Sequence, residues 1–201
     1  MSESFLDKAY AVSGTADLKD LYADWSGSYD DEVLASGYAT PARCAAALAK
    51  FVEDPSAPVL DFGCGTGLSG EALKAAGFKT IDGIDMSPEM IAEAEAKSVY
   101  RSLNATAPDA PVPEGYATIA AIGVIGAGAA PLSTFGTLMH ALPQKGLIVL
   151  SFNDHTLADR ASMAHLNEWL DCGAAHLLFR EHGPHLPAQD MGATVFVIQR
   201  A

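Results

Sequence analysis

Positive charge is scarce in this chain: 12 lysines and arginines stand against 25 aspartates and glutamates, a formal net charge of −13. A field of that sign repels phosphate backbones, so the composition argues against a nucleic-acid partner and otherwise serves solubility. Cysteine is scarce as well. Cys44, Cys64 and Cys172 are odd in number and far apart, and none forms a C-x-x-C pair; this excludes a zinc ribbon or a disulfide framework and fits a reduced, cytoplasmic setting. No metal is expected, because His182 and His185 lack a third ligand at a recognisable spacing. Residues Met1 to Lys8 carry neither a basic nor an apolar leader segment, so a secretory signal is not expected there. Long apolar runs are also missing. The uncharged stretch Gly115 to Gln144 is broken by Gly123, Gly126, Gly128, Pro131 and Gly136, and its first half reads as a strand buried on both faces rather than a membrane span.

What is present suffices for one α/β domain: 201 residues, 49% of them hydrophobic, can bury both faces of a sheet. The organising stretch is Val59 to Glu89. Val59-Leu60-Asp61-Phe62 is an apolar strand that runs into Gly63-Cys64-Gly65-Thr66-Gly67 and then a helical segment. Glycines at that junction expose backbone N–H groups at a helix start, where a ligand can approach the main chain. A second strand ends at Asp85, about 18 residues beyond Gly67, where the neighbouring strand of a doubly wound sheet presents a carboxylate to a ribose. Both features point to a nucleoside.

Two glycine registers compete. Gly63, Gly65 and Gly67 form one, while Gly65, Gly67 and Gly70 satisfy the G-x-G-x-x-G of dinucleotide enzymes. Asp61 favours the first, because a carboxylate beside the loop opposes a pyrophosphate and attracts a cationic amine or sulfonium. The spacing agrees: Asp85 lies only about 15 residues past Gly70, short of the ~20 of a dinucleotide fold.

These residues, with Gly83-Ile84-Asp85-Met86-Ser87-Pro88-Glu89-Met90, resemble the first two motifs of class I S-adenosylmethionine-dependent methyltransferases. Leu21-Tyr22-Ala23-Asp24-Trp25 with Tyr29-Asp30-Asp31, and Gly67 to Leu73, bring the likeness closest to the Williams-Beuren region, methyltransferase-like group of small proteins. The resemblance implies a doubly wound sheet of seven strands, six parallel and one reversed, with residues 1–36 as a helical lid and 37–201 as the methyltransferase domain. It implies S-adenosylmethionine as cofactor. Asp61 and the loop Gly63, Cys64, Gly65, Thr66 and Gly67 would hold its amino acid part, Asp85 the ribose hydroxyls, Met86 the adenine face, and Asn104 the adenine edge. Gly123 would lie beside the transferred methyl group. Tyr22, Trp25 and Tyr29 would close over the methionine part, although a stripe at helical spacing is equally lid packing.

Along the chain, Asp17 to Ala35 reads as one helical face or two short helices around Gly27, and Thr40 with Pro41 as the cap and first residue of the next helix. Strands are expected at 58–62, 79–84, 99–103, 116–122 and 147–152, with Ser87 capping the helix after the second. Asn104 to Gly115 reads as a loop. Ala117, Ala127 and Ala129 stand where the wider family carries acidic or polar groups, and the Asn/Asp-Pro-Pro-aromatic motif is missing, which argues against exocyclic or amide nitrogen acceptors. Asn153-Asp154-His155 either caps a helix through Leu157 to Cys172 or reaches the acceptor; His155, then Tyr29, are the candidate bases. Ala175 to Glu181 and Ala193 to Arg200 read as an antiparallel pair joined by a long connection. The expected activity is methyl transfer to a small-molecule or peptide-borne nucleophile. A non-catalytic S-adenosylmethionine-binding sensor or partner subunit, and a nicotinamide oxidoreductase, are the alternatives.

Overall fold

The computed structural model describes residues 15–126 and 129–201; the side chains of residues 15–20, 22 and 24 also lie outside the described set. Helix α1 (Thr15–Ala35) is followed by α2 (Thr40–Leu48), β1 (Val59–Phe62), α3 (Leu68–Ala75), β2 (Ile81–Asp85), α4 (Pro88–Ala96), β3 (Ser102–Ala105) and β4 (Thr118–Ala121). Then come α5 (Ser133–Ala141), β5 (Leu147–Asn153), α6 (Asp154–Ala158), α7 (Arg160–Asp171), β6 (Ala175–Leu186) and β7 (Met191–Arg200). The sheet order is β3-β2-β1-β4-β5-β7-β6. β1 to β5 pair in parallel, and β7 runs against both β5 and β6. Six strands therefore point one way and one is reversed, as the motifs implied. Among the described residues no helix is long and apolar enough to cross a membrane.

Alternation in the buried strands divides the core in two. Leu60, Ile119, Ile148, Leu150 and Phe196 face Phe135, Leu138 and Met139 of α5 and Leu166 of α7. Val59, Ile81, Val149, Val195 and Val197 pack on Cys44 and Leu48 of α2 and Leu73 of α3. Each such side chain contributes about 1.5–3 kcal/mol by leaving water, and together they fix the carboxyl ends of β1, β2 and β4 at one edge.

Of the two readings of the first segment, the single helix holds: α1 passes through Gly27 unbroken, because Trp25 and Val33 are buried against Leu186 and that anchoring outweighs the roughly 1 kcal/mol penalty of a helical glycine. Several other local features differ from the sequence reading. Thr40 does not cap α2; it is the first helical residue, and its hydroxyl pairs with His185 Nδ1 at 2.7 Å. β3 starts three residues later than expected. Asp82 fixes that start by accepting from Arg101 and from Ser102 Oγ at 2.7 Å, so Asn104 lies in the strand. The expected helix from Leu157 to Cys172 is two helices, since Asp159 is extended and caps α7 by accepting from Ala161 N–H at 3.0 Å. The connection before β7 is short. β6 continues through Gly183 and Pro184 to Leu186, with a bulge after Pro184, and a 3₁₀ turn at Pro187–Gln189 closes the hairpin. An edge strand tolerates proline because its outer N–H has no ladder partner.

Candidate functional site

Parallel pairing brings the ends of β1, β2 and β4 side by side, and the loops that leave them enclose a cavity of about 290 Å³. The β1 loop is held from below: the N–H groups of Gly63 and Cys64 both donate to Ile84 O, at 2.8 and 3.0 Å. Gly63, Gly65 and Gly67 all adopt positive φ. At Gly63 a Cβ would lie 2.6 Å from Val124, so glycine is needed for the close approach of the β1 and β4 loops. At Gly65 a Cβ would meet no atom within 4 Å, which leaves open space over the backbone. Gly70 does different work. It lies off the cavity wall, a Cβ there would strike the Tyr100 ring at 2.3 Å, and its N–H donates to Tyr100 Oη at 3.1 Å.

Asp61 is fully buried. Its Oδ2 accepts from Ser69 Oγ at 2.6 Å and from Tyr100 Oη at 2.8 Å, while Oδ1 has no partner. Burial pushes the carboxyl from its ordinary 3.8 to about 6, against the two hydrogen bonds and with the help of nearby Asp85. Asp85, at the end of β2, accepts from Gly65 N–H and Ser87 N–H at 2.9 Å each. Burial raises its pKa too, opposed by backbone donors. Ser87 caps α4 by accepting from Met90 N–H at 3.2 Å, which fixes Met86 in the wall. Burial keeps the Cys64 thiol protonated, and the nearby carboxylates of Asp61 and Asp85 add to that.

Helix α1 covers this loop. Thr66 Oγ1 donates to Asp30 Oδ1 at 2.5 Å, and Asp30 also pairs with Lys97 of α4. Tyr29 lines the cavity, and Trp25 is buried behind it with ring centroids 4.7 Å apart. Tyr22 belongs to α1, but its side chain lies outside the described residues. Gly123, at the end of β4, is on the wall; its N–H donates to Ser151 Oγ at 3.0 Å, and a Cβ there would lie 2.7 Å from the Tyr38 hydroxyl.

The structure therefore brings Tyr29, Gly63, Cys64, Gly65, Thr66, Asp85, Met86 and Gly123 to one wall. Asp61 and Trp25 lie behind it, and Gly67 begins α3 as its N-cap. Two residues are placed elsewhere. Asn104 is exposed on β3, and Thr106 and Ala107 line the cavity instead. His155 is exposed in the first turn of α6 and is not on the wall; the neighbouring Asn153 caps that helix by accepting from Thr156 N–H at 2.9 Å. Two tyrosines were not singled out by sequence. Tyr100 supports Asp61, and the signal for it was the pair Gly70 and Gly83, both of which leave room for its ring. Tyr38 lines the cavity with its ring edge-on to His185, centroids 5.3 Å apart. Among the described residues no group of three histidine, cysteine or acidic side chains could hold a metal; His182 and His185 pair with Thr194 and Thr40 respectively.

Comparison with known proteins agrees with this geometry. A family described as "Methyltransferase domain" matches residues 37–194. The human methyltransferase-like protein 27 is 32% identical over 149 residues, which are 71% of this chain and 60% of that protein; the chain thus spans well under two thirds of that relative's length. A putative S-adenosylmethionine-dependent methyltransferase from Listeria monocytogenes superposes with a TM-score of 0.58 at 17% identity, covering 80% of this chain and 99% of that one. Magnesium protoporphyrin IX methyltransferase from Synechocystis PCC 6803, solved with bound S-adenosylmethionine, gives 0.58 at 16% identity over 98% and 90%. At those identities the solved structures show a shared fold, and the match over residues 37–194 shows the family: the chain belongs to the methyltransferase-domain family.

Proposed function

We propose that this chain transfers a methyl group from S-adenosylmethionine to a small molecule. The observation that carries the reading is the buried Asp61 carboxylate, with one oxygen fixed by Ser69 and Tyr100 and the other without a partner. A buried half-paired carboxylate is costly by itself, and from behind the wall its charge would attract an ammonium group on the ligand. The open backbone at Gly65 and the carboxylate of Asp85 beside it would receive the amino acid part and the ribose hydroxyls. Met86 lies where an adenine face would pack, and Tyr29, with Trp25 behind it and Tyr22 on the same helix, would cover the site.

When bound, the cofactor supplies an electrophilic methyl group on a sulfonium. The residues around it then have three tasks: to hold the donor carbon and the acceptor in line, to exclude water, and to keep their own charges from competing. A strong base is not obligatory. Tyr29 is the one of the two candidate bases on the cavity wall, whereas His155 lies outside it. The acidic net charge of −13 disfavours nucleic acid as the acceptor.

Two observations bear on other readings. Gly70 is occupied by Tyr100 and lies off the wall, which counts against the dinucleotide register and a nicotinamide oxidoreductase. The lack of any lysine, arginine or histidine among the described lining residues is compatible with a cofactor-binding sensor or partner subunit without turnover. Incubation with S-adenosylmethionine labelled in its methyl group and a fractionated metabolite extract separates the methyltransferase from the sensor. Label appearing in one small-molecule fraction supports the enzyme; retention of the cofactor with no fraction labelled selects the sensor.

A further inference from the structure

The cavity wall is electrically divided. Its carboxylate, Asp85, stands at the end of β2 beside the β1 loop, whereas the β4 side is built from Val124, Ala130, Pro131 and Thr134, with Val112 and Tyr38 completing it. Among the described residues the lining contains no lysine, arginine, histidine or glutamate, and no aspartate besides Asp85. The start of α5 does not make good the missing cation, because the N–H groups of Thr134 and Phe135 already donate to Pro131 O and Leu132 O at 2.9 and 3.1 Å. An anionic acceptor would approach against a net charge of −13 and find no countercharge. A cationic one would find only Asp85, whose two oxygens already accept from Gly65 and Ser87. Burying an unpaired charge costs far more than burying a neutral group.

Resting on the methyl-transfer reading above, we infer that the acceptor is an uncharged, mostly apolar small molecule whose nucleophilic atom carries its own hydrogen, seated between the Val124–Thr134 wall and Tyr38. The Tyr38 hydroxyl, against the backbone of Gly123, and the Thr134 hydroxyl are uncharged polar groups on this side to orient it. In the transfer, a bond forms from the acceptor heteroatom to the methyl carbon as the carbon–sulfur bond breaks. The electron pair of the broken bond stays on sulfur, the acceptor proton leaves to water, and nothing is oxidised or reduced. The same cavity of about 290 Å³ must also seat the cofactor, which leaves only part of it to the acceptor and keeps the acceptor small.

The test is calorimetry on the full chain saturated with S-adenosylhomocysteine, using two sets of probes that share a skeleton and differ in charge. One set is 2-naphthol, 2-naphthoate and 2-naphthylmethylamine; the other is 1-octanol, octanoate and octylamine. The neutral member should bind about tenfold more tightly than both charged members in at least one set. Thr137→Lys, an exposed change at the cavity mouth, should shift preference from alcohol toward carboxylate by about threefold or more. A charged member binding as tightly as the neutral one in both sets, no binding by any of the six, or an unmoved preference in Thr137→Lys overturns the inference. Failure of S-adenosylhomocysteine itself to bind is seen in the first titration and overturns the methyl-transfer reading instead.

Discussion

Replacing Asp61 with asparagine removes a charge and keeps the shape, since the amide oxygen can still accept from Ser69 and Tyr100. In the ligand-free chain the carboxyl binds its proton more tightly when folded (about 6) than when unfolded (3.8). For an acid shifted upward the sign is unusual: the folded state is favoured at low pH, and stability falls as pH rises from 3.8 through about 6. Above that window the buried charge costs about 3 kcal/mol. The buried amide N–H of the variant, with no acceptor at the Oδ1 position, costs about 1–3 kcal/mol at every pH. The sharper quantity is therefore the pH dependence of the difference between the two proteins. Urea denaturation at pH 8 and pH 5 should show the variant's relative stability higher at pH 8 by about 1.4 kcal/mol. Both conditions stay above the isoelectric point of about 4.6. A difference that stays flat between the two would refute the buried, half-paired carboxylate. The same substitution should weaken S-adenosylmethionine binding by about tenfold or more, as the attraction between the carboxylate and the ligand's ammonium group is lost. Wild-type affinity should likewise fall as pH drops below about 6.

Asp85→Ala should lower affinity for the nucleoside by about tenfold or more while leaving a cooperative unfolding transition, measured by titration and circular dichroism. Gly70→Ala, whose Cβ would lie 2.3 Å from Tyr100, should destabilise the fold by about 1–3 kcal/mol, measured by urea denaturation. Burial holds His185 down at about 4 from an ordinary 6.5, so its contribution is complete above 6.5 and is lost as pH falls toward 4; His185→Gln should flatten that limb in denaturant melts. Asp30→Ala breaks the contacts to Thr66 and Lys97 and should speed hydrogen exchange in α1 ahead of the sheet.

The sheet was legible because buried strands such as Leu147 to Phe152 are apolar but for Ser151 and are bounded by turns. The glycine loop at one end of the cavity was legible because its glycines and the two carboxylates lie within one βαβ unit. What escaped depends on contacts between distant parts of the chain. Tyr100 reaches back 30 residues to Gly70, and Thr40 gives up a capping role for His185, 145 residues away. The glycines that make room for Tyr100 do not say which distant side chain fills it, and nothing near Thr40 points to His185. Asn104 was set on the adenine edge because β3 was placed too early; the three-residue slip follows from Asp82 drawing Arg101 and Ser102 into register. His155 was singled out for its place after β5, yet Asn153 turns the chain into a helix there and leaves the imidazole outside the cavity. Asp159 did carry a readable cap signal that the long apolar pattern around it obscured.

The most direct test of the account is calorimetric titration of the chain with S-adenosylmethionine, S-adenosylhomocysteine and NAD in parallel. The account predicts micromolar binding of the sulfur nucleosides, weakened by about tenfold or more in Asp61→Asn, and no binding of NAD. Binding of NAD alone, undiminished by Asp61→Asn, would contradict it.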